Sequence, residues 1–293
     1  MNTKRIPESE LILNKDGSVY HLNLKPEHIG DTIILVGDQD RVAKVANHFD
    51  SIIFETQKRE FKTITGILKG KKLTVISTGI GPDNIDIVMN ELDALVNINL
   101  DTRMIKPEHK KLSIVRIGTS GSLQKDIPVD RFVLSKYGLG MDGTLHSYAC
   151  EQILESDIEN AFIKHTDWSN RKARPYIVKG STVLATLLSS NDTFSGFTAT
   201  ANGFYGPQGR VLRLALQDAK LNSKIDNFSF NGLKITNLEM ETSAIYGLAK
   251  LLGHEALSMN AIIANRANGT FSKDTHKTIE KLIKYTLEKL VAA

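Results

Sequence analysis

Apolar residues form short unbroken runs in some parts of the chain and recur at helical spacing in others. The run Thr32–Val36 stops at Gly37-Asp38, which is typical of a strand buried on both faces. The runs at 64–68 and 73–77 flank a basic turn, Lys69–Lys72, and predict a hairpin. Further strands are predicted at 112–115, 132–135, 178–187 and 256–264.

Helical spacing first appears after the glycine turn Thr78–Pro82, where Ile85, Val88 and Leu92 would share one face. Met240–Leu252 has similar spacing and stops at Gly253, a residue type that is common just after a helix. Further helices are predicted at 40–48, 211–219 and 276–293. Strands that alternate with helices indicate an α/β protein whose sheet is largely covered on both faces.

The organisation of the chain favours a single domain. Residues 1–20 are polar and predict an N-terminal arm, and no linker, repeat or low-complexity tract divides residues 21–293. The charged segment 101–111 predicts an exposed loop.

Composition narrows the classes of protein that the chain can be. With 293 residues, 41% hydrophobic and 24% charged, it has the composition of an ordinary globular protein. A net charge of +4 with mixed signs argues against nucleic-acid binding, and the single cysteine, Cys150, fits a reducing compartment. Met1–Asn14 lacks an apolar signal core, and no run approaches the roughly 18 residues of a membrane span. We therefore expect a cytoplasmic protein without membrane contact.

The strongest chemical signal is Arg116–Ser122, which follows the apolar run Leu112–Val115. We interpret it as the end of a strand followed by a turn of small residues. Glycines let backbone amides approach a ligand, hydroxyls donate hydrogen bonds, and the guanidinium adds positive charge. This combination suits a small oxyanion, phosphate above all.

Two other segments have comparable chemistry, each with a structural alternative. Gly37 and Arg41 follow the first buried strand and could bind an anion, or could form a turn with an N-terminal ion pair. Glu239-Met240-Glu241 could place a carboxylate on a sugar diol and a methionine on the ribose. The same carboxylates could simply complement the dipole at a helix N-terminus.

The segment Phe204–Arg210 could recognise a planar ligand. Gln208 and Arg210, with a glycine between them, can address one ligand edge together, and a nearby aromatic ring can stack on it. The alternative is a loop that leads into the helix predicted at 211–219. Gly138–Gly143 matches G-x-G-x-x-G, but no helical periodicity follows, so we predict a turn there and no dinucleotide site. The sequence also lacks metal-ligand spacing.

Together these segments resemble the nucleoside phosphorylases of the uridine phosphorylase type, from about Val19 to the C-terminal helix. The motifs that carry the resemblance are Val19–Leu22, Gly37–Arg41, Lys58–Phe61, Ser77–Gly81, Arg116–Gly121, Gln208–Arg210, Glu239–Glu241 and Asn265-Arg266. The resemblance implies a single-domain three-layer sandwich with a twisted mixed central sheet flanked by helices. It also implies a homodimer with shared active sites, with a hexamer of dimers as the larger alternative.

The resemblance further implies roles for the matching residues. Phosphate would be bound by Gly37, Arg41, Arg116 and Thr119, and by Arg59 from a neighbouring subunit. Ribose would be contacted by Thr119, Met240, Glu241 and, across the dimer interface, His21. The base uracil would be recognised by Phe204, Gln208 and Arg210. The catalytic residues would be Arg116, Glu241 and Arg210.

Two departures from the family pattern affect these expectations. In bacterial members the run that matches Ser190–Phe194 leads almost directly into the Gln/Arg pair, whereas an insertion separates it from Gln208 here. Phe194 or Phe204 could therefore stack on the base, and the local context favours Phe204. Gly81–Asn84 differs from the usual Gly-Gly-Pro-Ser, which puts in doubt the potassium site that some members build with Glu60. We expect no metal and no cofactor, with phosphate as a co-substrate.

The implied reaction is phosphorolysis of uridine, with deoxyuridine as a further candidate substrate, to uracil and ribose 1-phosphate in pyrimidine nucleoside salvage. A purine nucleoside phosphorylase shares the phosphate and ribose residues, but would have an acidic residue near Asn265-Arg266. A phosphate-independent nucleosidase would have little use for three convergent arginines. A non-enzymatic nucleoside or phosphate sensor is a further alternative.

Overall fold

The computed structural model describes residues 4–292. Its strands are β1 (Thr32–Val36), β2 (Ser51–Lys58), β3 (Phe61–Leu68), β4 (Lys71–Ser77), β5 (Ile98–Asn99), β6 (Met104–Ile105), β7 (Ser113–Ser122), β8 (Phe132–Gly140), β9 (Tyr176–Lys179), β10 (Thr193–Thr200), β11 (Ser229–Phe230), β12 (Leu233–Lys234), β13 (Asn237–Glu239), β14 (Glu255–Asn265) and β15 (Thr270–Phe271). Its α-helices are α1 (Gln39–Ala46), α2 (Pro82–Asn97), α3 (Ser156–Thr166), α4 (Thr182–Leu188), α5 (Leu221–Asn227), α6 (Thr242–Leu252) and α7 (Thr275–Ala292).

Eleven strands form one mixed sheet in the order β15-β14-β8-β10-β13-β7-β1-β4-β3-β2, with β9 paired to β8. Strand β14 pairs with β7 as well as with β8, so β7, β14, β8, β10 and β13 close into a ring. Helices pack against the sheet, among them α1 on β3 and β4, α6 on β8 and β14, and α7 on β14. The predicted α/β fold with a central mixed sheet flanked by helices is confirmed, and closure of part of the sheet is an addition to it.

Several predicted elements form for the expected reasons. Strand β1 lies between β4 and β7 and is buried along Ile33–Val36, which explains its unbroken apolar run. Helix α1 begins after Asp38, whose side chain accepts a hydrogen bond from the backbone N–H of Arg41 at 2.8 Å. Helix α6 ends at Gly253, which has the left-handed conformation (φ +82°) of a helix C-terminus.

The turn predicted at Arg116–Ser122 is wrong, because β7 continues through Ser122. Strand β14 pairs with it in parallel over its whole length, and β13 pairs antiparallel with Gly121 and Ser122. The small residues serve close packing inside the sheet. A β-carbon on Gly118 would overlap the Arg116 guanidinium, which lies across that glycine.

Two predicted elements in the middle of the chain are also wrong. The strand predicted at 178–187 is β9 followed by helix α4, which begins after Ser181, whose hydroxyl caps the N–H of Leu184. The helix predicted at 211–219 is irregular and exposed, and the helix that follows is α5, from Leu221. Strand β2, which was not predicted, lies at the edge of the sheet, so its mostly exposed residues lack a buried apolar run.

Smaller corrections concern turns and loops. Gly138 and Gly140 lie within β8, and of the three motif glycines Gly143 has the left-handed conformation of a turn. The insertion before Gln208 begins within strand β10. The segment 101–111 is mostly exposed as predicted, with β6 pairing to β5 within it. The predicted polar arm contributes to the hydrophobic core, since its residues Leu11 and Val19 are buried there.

Helix α7 is amphipathic and buries Leu282, Ile283, Leu287 and Leu290. Among residues 4–292, no helix is both long enough and apolar enough to cross a membrane.

Candidate active site

The strand directions bring the Glu239–Glu241 segment to Arg116. Strand β13 runs antiparallel to β7, with Asn237 opposite Ser122 and Leu238 opposite Gly121. The chain that follows β13 therefore runs back along β7 toward Arg116, and helix α6 begins there. Two carboxylates and a guanidinium far apart in sequence thus meet in the interior.

Arg116 is buried and is held by three side chains. Its Nη2 lies 2.5 Å from Glu241 Oε2 and 3.4 Å from Glu239 Oε2, and its Nη1 donates to Asn260 Oδ1 at 2.9 Å. Burial acts to lower the pKa of Arg116, but the neighbouring carboxylates outweigh it and raise the pKa above its ordinary value. The guanidinium is therefore a fixed cation with five N–H donors, enough to serve these partners and an anion.

The two carboxylates next to Arg116 have different partners. Glu239 accepts hydrogen bonds from the backbone N–H groups of Glu241 and Thr242 and from the Thr200 hydroxyl, so it caps helix α6. Its pKa is raised, because burial and the neighbouring Glu241 outweigh the effect of Arg116. Glu241 accepts instead from the N–H of Gly81 at 2.9 Å, which joins it to the glycine turn before α2. Glu239 therefore has the helix N-terminus role that the sequence left open for these carboxylates, and it supports the site although it was not among the predicted site residues.

Arg41 comes close to Arg116 from the first turn of α1. Its guanidinium pairs with Asp38 at 2.8 Å and donates to the backbone carbonyl of Ile117 at 3.3 Å. Burial lowers the pKa of Arg41, Asp38 opposes that change, and the nearby Arg116 adds to it. Gly37 lies at the end of β1, and a β-carbon there would have no neighbour closer than the Gly79 carbonyl at 4.0 Å. Two guanidinium groups beside open backbone form a suitable place for an oxyanion.

Thr119 and Met240 are both half-buried. Thr119 lies on β7 between Arg116 and Ser122, three residues from each, which corresponds to about 10 Å of strand on either side. Met240 lies between the two glutamates. Both side chains are therefore partly accessible close to the arginine pair.

Phe204, Gln208 and Arg210 form a second cluster. Arg210 Nη1 donates to the backbone carbonyl of Phe204 at 2.6 Å and to Gln208 Oε1 at 2.7 Å. The guanidinium carbon of Arg210 lies 3.8 Å from the centroid of the Phe204 ring. Burial lowers the pKa of Arg210, with an opposing contribution from Tyr205.

Arg266 joins this cluster to the end of β7, and sequence reasoning gave it no role of its own. Its Nη1 donates to the backbone carbonyl of Gln208 at 2.8 Å, and its backbone N–H donates to the Ser122 carbonyl at 2.9 Å. Burial and the nearby Arg210 lower the pKa of Arg266. The sequence did contain one indication of this role, because Asn265-Arg266 directly follows the strand predicted at 256–264.

Phe194 belongs to a different cluster. It lies near the start of β10 and packs against Ile127, Val133 and Ile262. Its ring faces the guanidinium of Arg131, 5.6 Å away. Of the two candidate aromatic residues, Phe204 is the one that lies beside Gln208 and Arg210.

His21 and Arg59 lie apart from the arginine pair. The ring of His21 is 2.7 Å from Glu91 Oε1 on α2, and the same carboxylate accepts from the backbone N–H groups of His21 and Leu22. Arg59 occupies the turn between β2 and β3 with φ +55°, and its guanidinium is exposed, 6.0 Å from the Tyr20 ring. Within residues 4–292, neither side chain forms a hydrogen bond or ion pair with Arg41, Arg116 or Glu241.

The arrangement can bind an oxyanion beside a polyol, with a planar group at the far end of β7. In the part of the chain that the structure describes, no group of His, Cys, Asp and Glu side chains has a metal-binding arrangement.

The chain has recognisable relatives among known proteins. The family model described as "Phosphorylase superfamily" matches residues 31–292. A uridine phosphorylase of Thermococcus kodakarensis is 28% identical over 270 residues, 90% of this chain and 83% of that protein. A DeoD-type purine nucleoside phosphorylase of Streptococcus suis is 26% identical over 282 residues, 93% of this chain and 98% of that protein.

Among solved structures, a Trypanosoma brucei nucleoside phosphorylase, described as showing uridine phosphorylase activity, has a similar fold. It superposes with a TM-score of 0.87 at 29% identity, covering 97% of this chain and 100% of that one.

Proposed function

The chain belongs to the phosphorylase superfamily, and we propose that it is the member that cleaves uridine with phosphate to give uracil and ribose 1-phosphate. The observation that carries this proposal is the pairing of Gln208 with Arg210 at the end of β7, beyond the arginine pair. An amide and a guanidinium together match the alternating carbonyl and N–H groups of a uracil edge. The similarity to a Thermococcus uridine phosphorylase supports the same choice.

The phosphate would be held by Arg41 and Arg116, with the backbone of Gly37 and the hydroxyl of Thr119 as further donors. One phosphate oxygen attacks the anomeric carbon of the ribose while the bond from that carbon to N1 of uracil breaks. The electron pair of the broken bond goes to the uracil, which then takes a proton from solvent. No side-chain nucleophile is needed, so catalysis consists of positioning and electrostatic stabilisation.

Glu241 would hold the ribose hydroxyls, since its carboxylate is fixed by Arg116 and Gly81 and lies next in sequence to the half-buried Met240. Arg210 would stabilise the negative charge that grows on the departing uracil. That charge is larger in the transition state than in the bound nucleoside, so this interaction lowers the barrier rather than only tightening binding.

We propose that a second copy of this chain completes the site. The exposed guanidinium of Arg59 and the ring of His21, steered by Glu91, are the groups that the partner would supply to phosphate and to the ribose 5′-hydroxyl. The reaction takes phosphate as co-substrate and requires neither a metal nor an organic cofactor. Its place would be pyrimidine nucleoside salvage in the cytoplasm.

A substrate panel tests the proposal. The purified protein is incubated with uridine, deoxyuridine, thymidine, inosine or adenosine, with and without phosphate, and the free base is measured. We expect uracil from uridine in the presence of phosphate and none in its absence. Release of hypoxanthine or adenine in place of uracil would identify a purine nucleoside phosphorylase, the function that the Streptococcus relative favours. Base release without phosphate would identify a nucleosidase.

A further inference from the structure

Residues 201–220, between β10 and α5, are called the base loop below, because they contain the proposed uracil contacts. The base loop contains one short 3₁₀ turn, Gly206–Gln208, and is otherwise irregular. Its side chains Leu212 and Leu214 are both 77% exposed. These leucines therefore do not anchor the loop, although Gln208 within it is buried at 3% exposed.

Two side chains from outside the loop hold the Gln208–Gly209 backbone. The amide of Asn222 donates to the carbonyl of Gln208 at 3.0 Å and to that of Gly209 at 3.3 Å. Arg266 donates to the same Gln208 carbonyl at 2.8 Å. The peptide at the centre of the proposed base contact is thus tied both to α5 and to the end of β14.

The local backbone is built around Asn222. Gly209 has φ +68°, and a β-carbon there would overlap the Asn222 amide, so both the conformation and the contact exclude a side chain at this position. Asn222 lies in the first turn of α5, whose neighbouring residues Leu221 and Ile225 are buried in an apolar cluster with Phe228. The Asn222 amide is therefore held by the well-packed helix α5 and contacts the irregular base loop.

We propose that Asn222 is a positioning residue that sets the affinity of the site for the base. By fixing the Gln208 carbonyl it fixes the direction of the Gln208 side chain. Arg210 follows, because its guanidinium donates to Gln208 Oε1. With Oε1 engaged in this way, the Nε2 group of Gln208 is the donor offered to a carbonyl oxygen of the base. The identity of that base as uracil rests on the proposed function.

The test compares Asn222→Ala and Asn222→Asp with Asn227→Ala in the full-length protein. Asn227 is a matched control, because its amide also donates to a backbone carbonyl, that of Ser223 at 2.8 Å, but on the exposed end of the same helix. We expect Asn222→Ala to raise the KM for uridine and the Kd for uracil about tenfold, because base binding must then order a peptide that two hydrogen bonds hold in place in the wild-type protein. The KM for phosphate and the melting temperature should stay near the wild-type values. Asn222→Asp should have the larger effect, because its carboxylate would face two carbonyl oxygens.

Three outcomes would overturn the inference. One is a rise in the KM for uridine in Asn222→Ala that is no greater than the rise in Asn227→Ala. Another is a rise in the KM for phosphate by the same factor as the rise in the KM for uridine. A third is a fall in the melting temperature that accounts for the whole loss of activity in Asn222→Ala. If the wild-type protein releases a purine base instead of uracil, the proposed function fails. The same comparison of KM values with that purine nucleoside then decides the role of Asn222.

Discussion

The two ends of the candidate site are built in opposite ways. Around Arg116, the functional side chains lie on a strand and at the start of a helix, and Arg116, Glu239 and Glu241 are 6%, 4% and 4% exposed. The base loop is irregular, and its Phe204 is 51% exposed, although Gln208 within it is buried at 3% exposed. Ion pairs and helix caps fix the first region, whereas hydrogen bonds from Asn222 and Arg266 fix the backbone of the second.

This difference separates two tasks. Phosphate and the sugar take part in every reaction of a nucleoside phosphorylase, and the groups proposed to bind them lie on β7, after β1 and at the starts of helices α1 and α6. The base is the variable part, and the groups proposed to recognise it are mounted on a loop that a rigid scaffold supports. Changes near Arg116 should therefore affect both stability and catalysis, while changes in the base loop should affect mainly the use of the base.

The largest effect is expected from Arg116→Met, which leaves Glu239 and Glu241 buried side by side without their cation. Removing one partner of a buried ion pair costs about 3–5 kcal/mol, so the free energy of unfolding should fall by that amount. Phosphorolysis should be lost as well. Denaturant unfolding and a uracil-release assay measure the two effects.

The control for Arg116→Met is Arg131→Met, an exposed arginine just before β8 whose guanidinium lies over Phe194. Arg131→Met changes the net charge by the same amount as Arg116→Met, and it should lower the free energy of unfolding by no more than about 1 kcal/mol. If Arg116→Met kept the stability and the activity of the wild-type protein, the region around Arg116 would not be held together by its ion pairs.

Arg210→Ala should lower kcat/KM for uridine by a factor equivalent to about 2–4 kcal/mol, because it removes stabilisation of the departing base. The free energy of unfolding should change little, since Arg210 lies in the base loop. Arg213→Ala, an exposed arginine in the same loop, is the control and should behave like the wild-type protein. Near-normal uridine kinetics in Arg210→Ala would rule out its assigned role.

Gly118→Ala tests the packing beneath Arg116 without removing a charge. The added methyl group would overlap the guanidinium, so we expect a loss of about 1–3 kcal/mol in stability and a higher KM for phosphate. In Gly121→Ala, on the same strand, the nearest atom would be the Arg266 Cδ at 3.8 Å, so the stability effect should be smaller. Equal stability losses in the two variants would show that Gly118 is not adapted to Arg116.

The sequence predicted the buried strands β1, β3, β4, β7, β8 and β14 and the helices α1, α2, α6 and α7, because buried strands and amphipathic helices leave strong periodic patterns. It missed strands β2, β10 and β13 and helix α3. The prediction was wrong where glycines occur, because a glycine can indicate either a turn or close packing within a strand. Gly118 and Gly121 suggest a turn, yet here they let a guanidinium and neighbouring strands approach β7 closely. The helix predicted at 211–219 is absent, and Leu212 and Leu214 within that range are exposed, so no apolar face there packs on the rest of the protein.

The site was predicted in its motifs but not in its supports. Arg116, Glu241, Gln208 and Arg210 carry chemistry that can be recognised in sequence. Glu239, Glu91 and Asn222 act through backbone N–H and C=O groups distant in sequence or in the next element. Such contacts depend on strand order and loop path, which no local pattern encodes.

Phosphate, held beside Arg116, is the proposed nucleophile of the reaction. The most direct test is to react uridine with phosphate labelled with ¹⁸O at all four oxygens and to weigh the sugar product by mass spectrometry. Attack by a phosphate oxygen on the anomeric carbon predicts ribose 1-phosphate that retains all four labelled oxygens. Unlabelled free ribose formed at the same rate as uracil would show that water attacks the anomeric carbon and that phosphate is not the nucleophile.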